Sequence, residues 1–253
     1  MIKLTDSHTH TLPSDVQNYK EIIENLEQNN IKRIIINGYN DETNKEVIKL
    51  CHKYENVYGA LGFHPDNINE LTLDSLKFIE ENLKNPKILA IGEIGLDYFH
   101  NKENKEEQLK LLETFLKMSI KTHKPVIIHN RDATGDLINL LRKYNTKGII
   151  HCFNGSKETA EIFIKLGYKL GIGGVITFKN CKLKEEIKNI VPSAFLLETD
   201  APYLTPEPYR GSQNEPKYLI YTLKVLANSL NLDEEKLSDI LESNFHELFD
   251  IED

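Results

Sequence analysis

The sequence predicts an α/β fold, a single-domain TIM (β/α)8 barrel over residues 1–253 with a binuclear metal site at the C-terminal ends of its strands. Three observations point there. Eight short apolar runs recur along the chain, amphipathic helical patterns lie between them, and residue types that ligate metals stand where the runs end.

The runs are IKLTDSH near 2–8, KRIIING near 32–38, VYGALGF near 57–63, KILAIGEIG near 87–95, KPVIIHN near 124–130, KGIIHCF near 147–153, KLGIGGVITF near 169–178 and AFLLETD near 194–200. They are rich in Ile, Val and Leu, as strands buried on both faces are. Between them, Tyr19, Ile22, Ile23 and Leu26 follow the spacing of one helix face, and so do Leu109, Leu112 and Leu116. Ser156 can cap a helix carrying Ala160, Phe163 and Ile164, and Gly167 stands where that helix stops. Asp233 and the acids after it suit the start of the last helix. Strands alternating with helices close either as a barrel or as an open doubly wound sheet. No glycine-rich turn follows the first run, which argues against the dinucleotide-binding sheet. The polar residues decide for the barrel.

Chemistry in such folds gathers at the carboxyl ends of the strands. Here the first run ends in His8 and His10, the third in His64, the fourth in Glu93, the fifth in His129, the sixth in His151 and the eighth in Asp200. A buried His or carboxylate without a partner is costly, so this repetition points to ligation. Residues i and i+2 of a strand share a side, so His8 and His10 can reach one cation while Thr9 points away. Alone, the pair is equally two polar residues at a strand end. Asp6 either orients a ligand histidine or bonds the backbone. Glu93 sits among small apolar neighbours and can bridge two metals, and Asp97 is a second support or a loop cap. Asp200 can ligate and accept a proton, with Glu198 as deeper support. By alternation Cys152 faces away from His151, into the core. His52, His100, His123 and His246 read as solvated or helix-end residues. Arg131 and Arg210 either clamp a phosphate or form surface salt bridges.

The net charge of −8 argues against a broad basic surface for nucleic acid. Phosphate chemistry would draw positive charge locally, from metal ions or a few arginines. The three cysteines form no CxxC pair, and their odd number suits a reducing compartment, so a cytoplasmic protein is expected. MIKLTDSHTH has no apolar run, so no signal peptide is expected. No segment approaches the roughly 20 apolar residues of a membrane span. Oligomeric state is not encoded in any pattern, and a monomer is compatible with the chain.

DSHTH, GFHP, GEIGLDY, HNRDA, HCFNGS, GGVITFKN and ETDAPYLTP, followed by YRG and NEP, resemble the TatD family of metal-dependent deoxyribonucleases, in order from residue 6 to about 217. The resemblance implies a TIM barrel of the metal-dependent hydrolase superfamily and two divalent cations. It implies His8 and His10 on one metal, His129 and His151 on the other, Glu93 bridging, and Asp200 completing the site, with His64 on the substrate side. In the order after YRG this chain departs from the family, reading Ser212-Gln213-Asn214 where a basic residue usually precedes the Asn. That removes a positive charge and predicts a weak hold on DNA.

The expected function is hydrolysis of DNA phosphodiester bonds, exonuclease-type, with Glu93 and Asp200 as catalytic residues. His64, Arg131 and Arg210 would hold the phosphate. Mixed nitrogen and oxygen ligands admit Zn, Mn, Fe or Co, and the carboxylates admit Mg. Two alternatives stand beside it: the same site acting on another ester, a lactone or an amide, and a metal-binding protein without catalysis.

Overall fold

The eight apolar runs form eight parallel strands, each followed by at least one helical segment. In a computed structural model describing residues 2–251, they are β1 (Leu4–Thr9), β2 (Ile31–Asn37), β3 (Val57–Leu61), β4 (Ile88–Asp97), β5 (Val126–Arg131), β6 (Gly148–Ile150), β7 (Tyr168–Ile172) and β8 (Phe195–Leu197). Residues 1, 252 and 253 of the expected domain lie outside the described residues. The helices are α1 (Tyr19–Glu24), α2 (Asp41–Lys53), α3 (Leu73–Asn82), α4 (Lys105–Thr122), α5 (Thr134–Leu141), α6 (Lys157–Lys165), α7 (Leu183–Ile187), α8 (Leu219–Ser229) and α9 (Glu234–Phe249). Each strand pairs in parallel with the next, in the order β1 to β8. The architecture is therefore a single TIM barrel.

The period of two along each strand divides the core. Ile34 and Ile36, Val126 and Ile128, Ile150, and Phe195 and Leu197 pack with the surrounding helices in one cluster. Their alternates Ile35, Ile127, Ile149 and Leu196 form a second cluster with Ala60, inside the barrel, joined by Phe245, Leu248 and Phe249 of α9. Counting on by two from the inner residues reaches Asn37, His129, His151, Glu198 and Asp200. The strand period aims Asn37 and His129 into the barrel's C-terminal mouth, while His151, Glu198 and Asp200 lie just past the ends of β6 and β8 and are placed by the turns there.

Strands β1 and β8 have no regular ladder among the described residues. The seam closes instead through Asp200 N–H to His8 O (3.0 Å), His10 N–H to Ala201 O (2.6 Å) and the Ser7 hydroxyl to Leu197 O (2.8 Å).

Several sequence expectations shift in detail. The seventh run is strand only to Ile172, and Gly174–Thr177 form a 3-10 turn. A Cβ on Gly174 would lie 2.4 Å from Leu204 O, so the loop after β8 crosses where the strand would have continued. β8 stops at Leu197, leaving Glu198 to Asp200 as loop. Leu26 lies beyond α1, at the head of a 3-10 turn, yet is buried. Ser156 caps α6 by accepting Thr159 N–H, Gly167 follows α6 at φ 91°, and Asp233 caps α9. No helix among the described residues is long and apolar enough to cross a membrane.

Side chains of the helical layer reach the segments that carry the site. Buried Asn44 of α2 donates its amide to Gly62 O (2.8 Å) and accepts Gly62 N–H (3.1 Å), anchoring the segment that leads to His64. Asn44→Ala leaves both backbone groups without that partner. It is expected to lower unfolding stability by about 2–4 kcal/mol. Urea unfolding checks this, and an unchanged midpoint would show that the segment is held by other means.

Candidate metal centre

The mouth of the barrel holds a cavity of about 880 Å³ whose wall includes His10, His64, Glu93, His129, His151 and Asp200. Glycines let the backbone bring these groups close. A Cβ on Gly95, at φ 152°, would lie 2.0 Å from His129 O, so only glycine lets β4 approach β5 beside that ligand. A Cβ on Gly171 would lie 2.1 Å from Glu198 Oε2, so its absence makes room for the carboxylate behind His151.

The donor spacing tests whether a cation fits. Ligands at about 2.0–2.1 Å from one ion in a tetrahedron stand about 3.3 Å apart. His8 Nε2 and His10 Nε2 are 3.1 Å apart. Glu93 Oε2 lies 3.7 and 3.2 Å from them, and Asp200 Oδ1 lies 3.7 Å from each. His8, His10 and the Glu93 oxygen thus form one candidate group for a cation, and Asp200 joins His8 and His151 in another. Around the other oxygen of Glu93, His129 Nδ1 stands at 3.0 Å and His64 Nε2 at 3.9 Å. Glu93 therefore presents one oxygen to each half of the cluster, as a bridging carboxylate does.

The far ring nitrogens state which faces can ligate. His10 Nδ1 faces the Asn37 carbonyl at 3.0 Å, which requires an N–H there and leaves Nε2 as the lone-pair donor. His129 Nε2 lies 3.0 Å from Asp97 Oδ2, so its Nδ1 is the atom left to face a cation. His151 Nδ1 lies 3.0 Å from Glu198 Oε1, and its Nε2 lies 3.6 Å from Asp200 Oδ1. His64 is the opposite case. Its Nδ1 accepts Asp66 N–H at 3.2 Å, which places the proton of the neutral ring on Nε2, aimed at the cluster as a donor.

Charge reinforces the arrangement. Burial would raise Glu93, but bonds from His10 and His129 hold it well below the ordinary carboxylate range. Burial would lower His129 and His151, yet Asp97 and Glu93 hold the first up at about 9, and Glu198 and Asp200 hold the second up at about 10. His64 shows burial prevailing, at about 4. Buried carboxylates here call for positive charge, which divalent cations supply.

The remaining expected residues fall as follows. Asp6 supports backbone: it accepts His8 N–H, Thr199 N–H (3.0 Å) and the Thr199 hydroxyl (2.5 Å), bracing both sides of the seam. Asp97 fills both roles proposed for it, capping Phe99 and His100 N–H groups and holding His129. Glu198 supports His151 and accepts Cys152 N–H at 2.6 Å. His151 shares a group with His8 and Asp200, and His129 with Glu93 and His64; no group of three among the described residues holds both. Cys152 does not enter the core as alternation predicts. β6 ends at Ile150, Cys152 takes φ 47°, and the left-handed turn brings it to the cavity wall. Arg131 lines the cavity, its guanidinium 3.9 Å from the Phe99 ring centroid. Arg210 lies over Phe178 at 3.8 Å and is not part of the cavity wall. His52 and His246 are helical, and His123 ends α4. His100 is half exposed but bonded to Asp97 at 2.9 Å.

Sequence reasoning missed Asn37, Tyr39 and Tyr203. Asn37 carries the inward parity of β2 and was open to the same strand-end survey. Tyr39 and Tyr203 stand 5.5 and 6.2 Å from the His10 ring, on loops where no period applies. Asn214, buried, donates to Thr199 O and Tyr203 O and so holds the loop that carries Asp200.

A family profile for TatD related DNases matches residues 5–250. The chain is 35% identical over 253 residues to the uncharacterized metal-dependent hydrolase YabD of Bacillus subtilis, covering 98% of this chain and 99% of that protein. The crystal structure of YjjV, a TatD homolog from Escherichia coli, superposes with a TM-score of 0.92 at 30% identity over 98% of both chains. A TatD family hydrolase from Entamoeba histolytica shares the fold, with a TM-score of 0.86 at 23% identity over 98% of both chains.

Two measurements test the centre without turnover. Zinc or manganese at a hundredfold excess over Kd is expected to stabilise chelator-stripped protein by about 2.7 kcal/mol per site, a rise in Tm of about 5–10 °C. Glu93→Gln should lose most of that rise; an undiminished rise would remove Glu93 from the shell. Asp97→Asn is expected to weaken the ion at His129 by about 10–100-fold, seen as a fall in bound metal after dialysis.

Proposed function

The chain belongs to the TatD related DNase family and is a metal-dependent hydrolase, and from that premise we propose that it hydrolyses phosphodiester bonds at the ends of DNA strands. The observation that carries the reading is that hydrogen-bond donors line the same cavity as the buried acid Glu93: His64, whose Nε2 lies 3.9 Å from Glu93 Oε1, and Arg131. A phosphodiester needs such donors on its non-bridging oxygens.

When bound, two divalent cations lower the pKa of a water and screen charge on the phosphoryl oxygens. The chain's own groups do the rest. His64 donates from Nε2 to a phosphoryl oxygen. Arg131, its guanidinium 3.9 Å from the Phe99 ring centroid, offers N–H groups to the same phosphate. Asp200 accepts the proton of the attacking water on a carboxylate oxygen at the cavity wall. Asp97 and Glu198 hold the rings of His129 and His151 in register. The chain's acidity, with 39 Asp and Glu against 31 Lys and Arg, opposes long duplex DNA and favours an end that the cavity can enclose.

Cleavage of short single- and double-stranded DNA, measured across Mg, Mn, Zn and Co beside a panel of lactones, amides and other esters, tests this reading. Phosphodiester turnover above that of the other bonds is expected, abolished in Glu93→Ala with the fold intact. Arg131→Ala is expected to raise KM more than it lowers kcat. Faster turnover of a lactone or amide would assign the site to that bond instead.

A further inference from the structure

The loops after β3 and β4 meet at the lip of the cavity and bring further ligand atoms together there. His64, Asp66, Asp97 and His100 all line the cavity wall. Asp66 follows His64 at the start of a 3-10 turn, Pro65–Glu70, and His100 lies in the turn after β4. Asp66 Oδ2 stands 3.6 Å from His64 Nδ1 and 3.8 Å from His100 Nδ1. His100 Nδ1 stands 2.9 Å from Asp97 Oδ2. Ligand atoms of His64, Asp66 and Asp97 lie within 4.8 Å of one another.

A finished hydrogen-bond network would not have this spacing. At 3.6 and 3.8 Å the Asp66 oxygen is too far from either ring for a hydrogen bond. Its carboxylate accepts none from any group among the described residues. The separations do suit edges of a coordination sphere, where donors at about 2.0–2.1 Å from one ion stand about 3.3 Å apart. Each donor can turn to an ion. His64 Nδ1 carries the lone pair of its ring, since it accepts Asp66 N–H, and at 3.2 Å that bond is at the long end of the range. An ionised carboxylate has about four lone-pair sites. In Asp97, Oδ1 accepts the N–H groups of Phe99 and His100, and Oδ2 holds His129, which leaves the position that now faces His100 Nδ1. In its neutral form His100 ligates from Nδ1 with its proton on Nε2.

We infer that this lip is a further divalent-cation site, formed by His64 Nδ1, Asp66, Asp97 and His100 and separate from the groups around Glu93. Two carboxylates and two imidazoles suit manganese or zinc. Asp66 and His100 are exposed, so water completes the shell and the ion exchanges more readily than one held by the buried ligands of the centre. An ion on Nδ1 draws electron density from the His64 ring. That makes its Nε2–H, which lies 3.9 Å from Glu93 Oε1, a stronger donor to a substrate oxygen. This role rests on the phosphodiesterase reading of the cavity, and the binding of the ion does not.

The test counts ions rather than turnover. Chelator-stripped protein is dialysed to equilibrium against manganese, and free ion is read by electron paramagnetic resonance. The parent protein is expected to bind one ion more than Asp66→Ala or His100→Ala, the loss falling on its weakest step. Asp66→Ala should keep the tighter steps, because Asp66 touches none of the groups around Glu93 but His64. Glu93→Gln should show the reverse, losing tight steps and keeping the weak one. The same number of ions in the parent and both lip variants, or loss of every step in Glu93→Gln, would overturn the site. The expected binding pattern with no phosphodiester cleaved under any metal would uphold the lip site and sink the reading of the cavity.

Discussion

The seam between β1 and β8 is the constraint on which the rest of the molecule depends. A barrel of eight strands closes only if its last strand meets its first, and here the closing bonds are made by the segments that carry the ligands. Asp200 N–H bonds His8 O, His10 N–H bonds Ala201 O, and Asp6 reaches across to Thr199. Closure and ligand placement are therefore one event. The imidazoles of His8 and His10 and the carboxylate of Asp200 arrive within 3.7 Å of one another because their backbones are bonded together.

Around that seam the cluster is ordered by what each ring's far nitrogen touches. A carbonyl or carboxylate behind His10, His129 and His151 turns a lone pair towards the centre. A backbone N–H behind His64 turns a proton towards it. The same residue type thus presents two faces within one cavity: a lone pair of the kind a cation takes and an N–H of the kind an oxygen takes. Asp97 and Glu198 are as necessary to this division as the ligands, since each decides which face of its histidine is basic.

The outer loops follow a different logic. There the molecule fixes arginines on aromatic rings, Arg131 on Phe99 and Arg210 on Phe178, at 3.9 and 3.8 Å. In a chain of net charge −8, neither of these guanidiniums has a carboxylate partner among the ion pairs of the described residues.

The sequence by itself determined the barrel and most of the residues that the structure gathers into candidate metal groups. Strand periodicity is local: once the apolar runs are found, counting by two from Ile127, Ile149 and Leu196 reaches His129, His151 and Asp200 without any knowledge of their neighbours. The group that sets the tautomer of His10 is the backbone carbonyl of Asn37, which no count of side-chain parity locates. The count failed at Cys152, because a left-handed residue breaks the alternation where β6 ends. Only the tertiary structure decided which nitrogen of each histidine faces the centre, that His151 groups with His8 and Asp200, and that Arg210 stands outside the cavity. Those facts depend on side chains brought together from distant parts of the chain by the closed seam. Tyr203 and Tyr209 lie on loops with no period to read, so their positions come from packing alone.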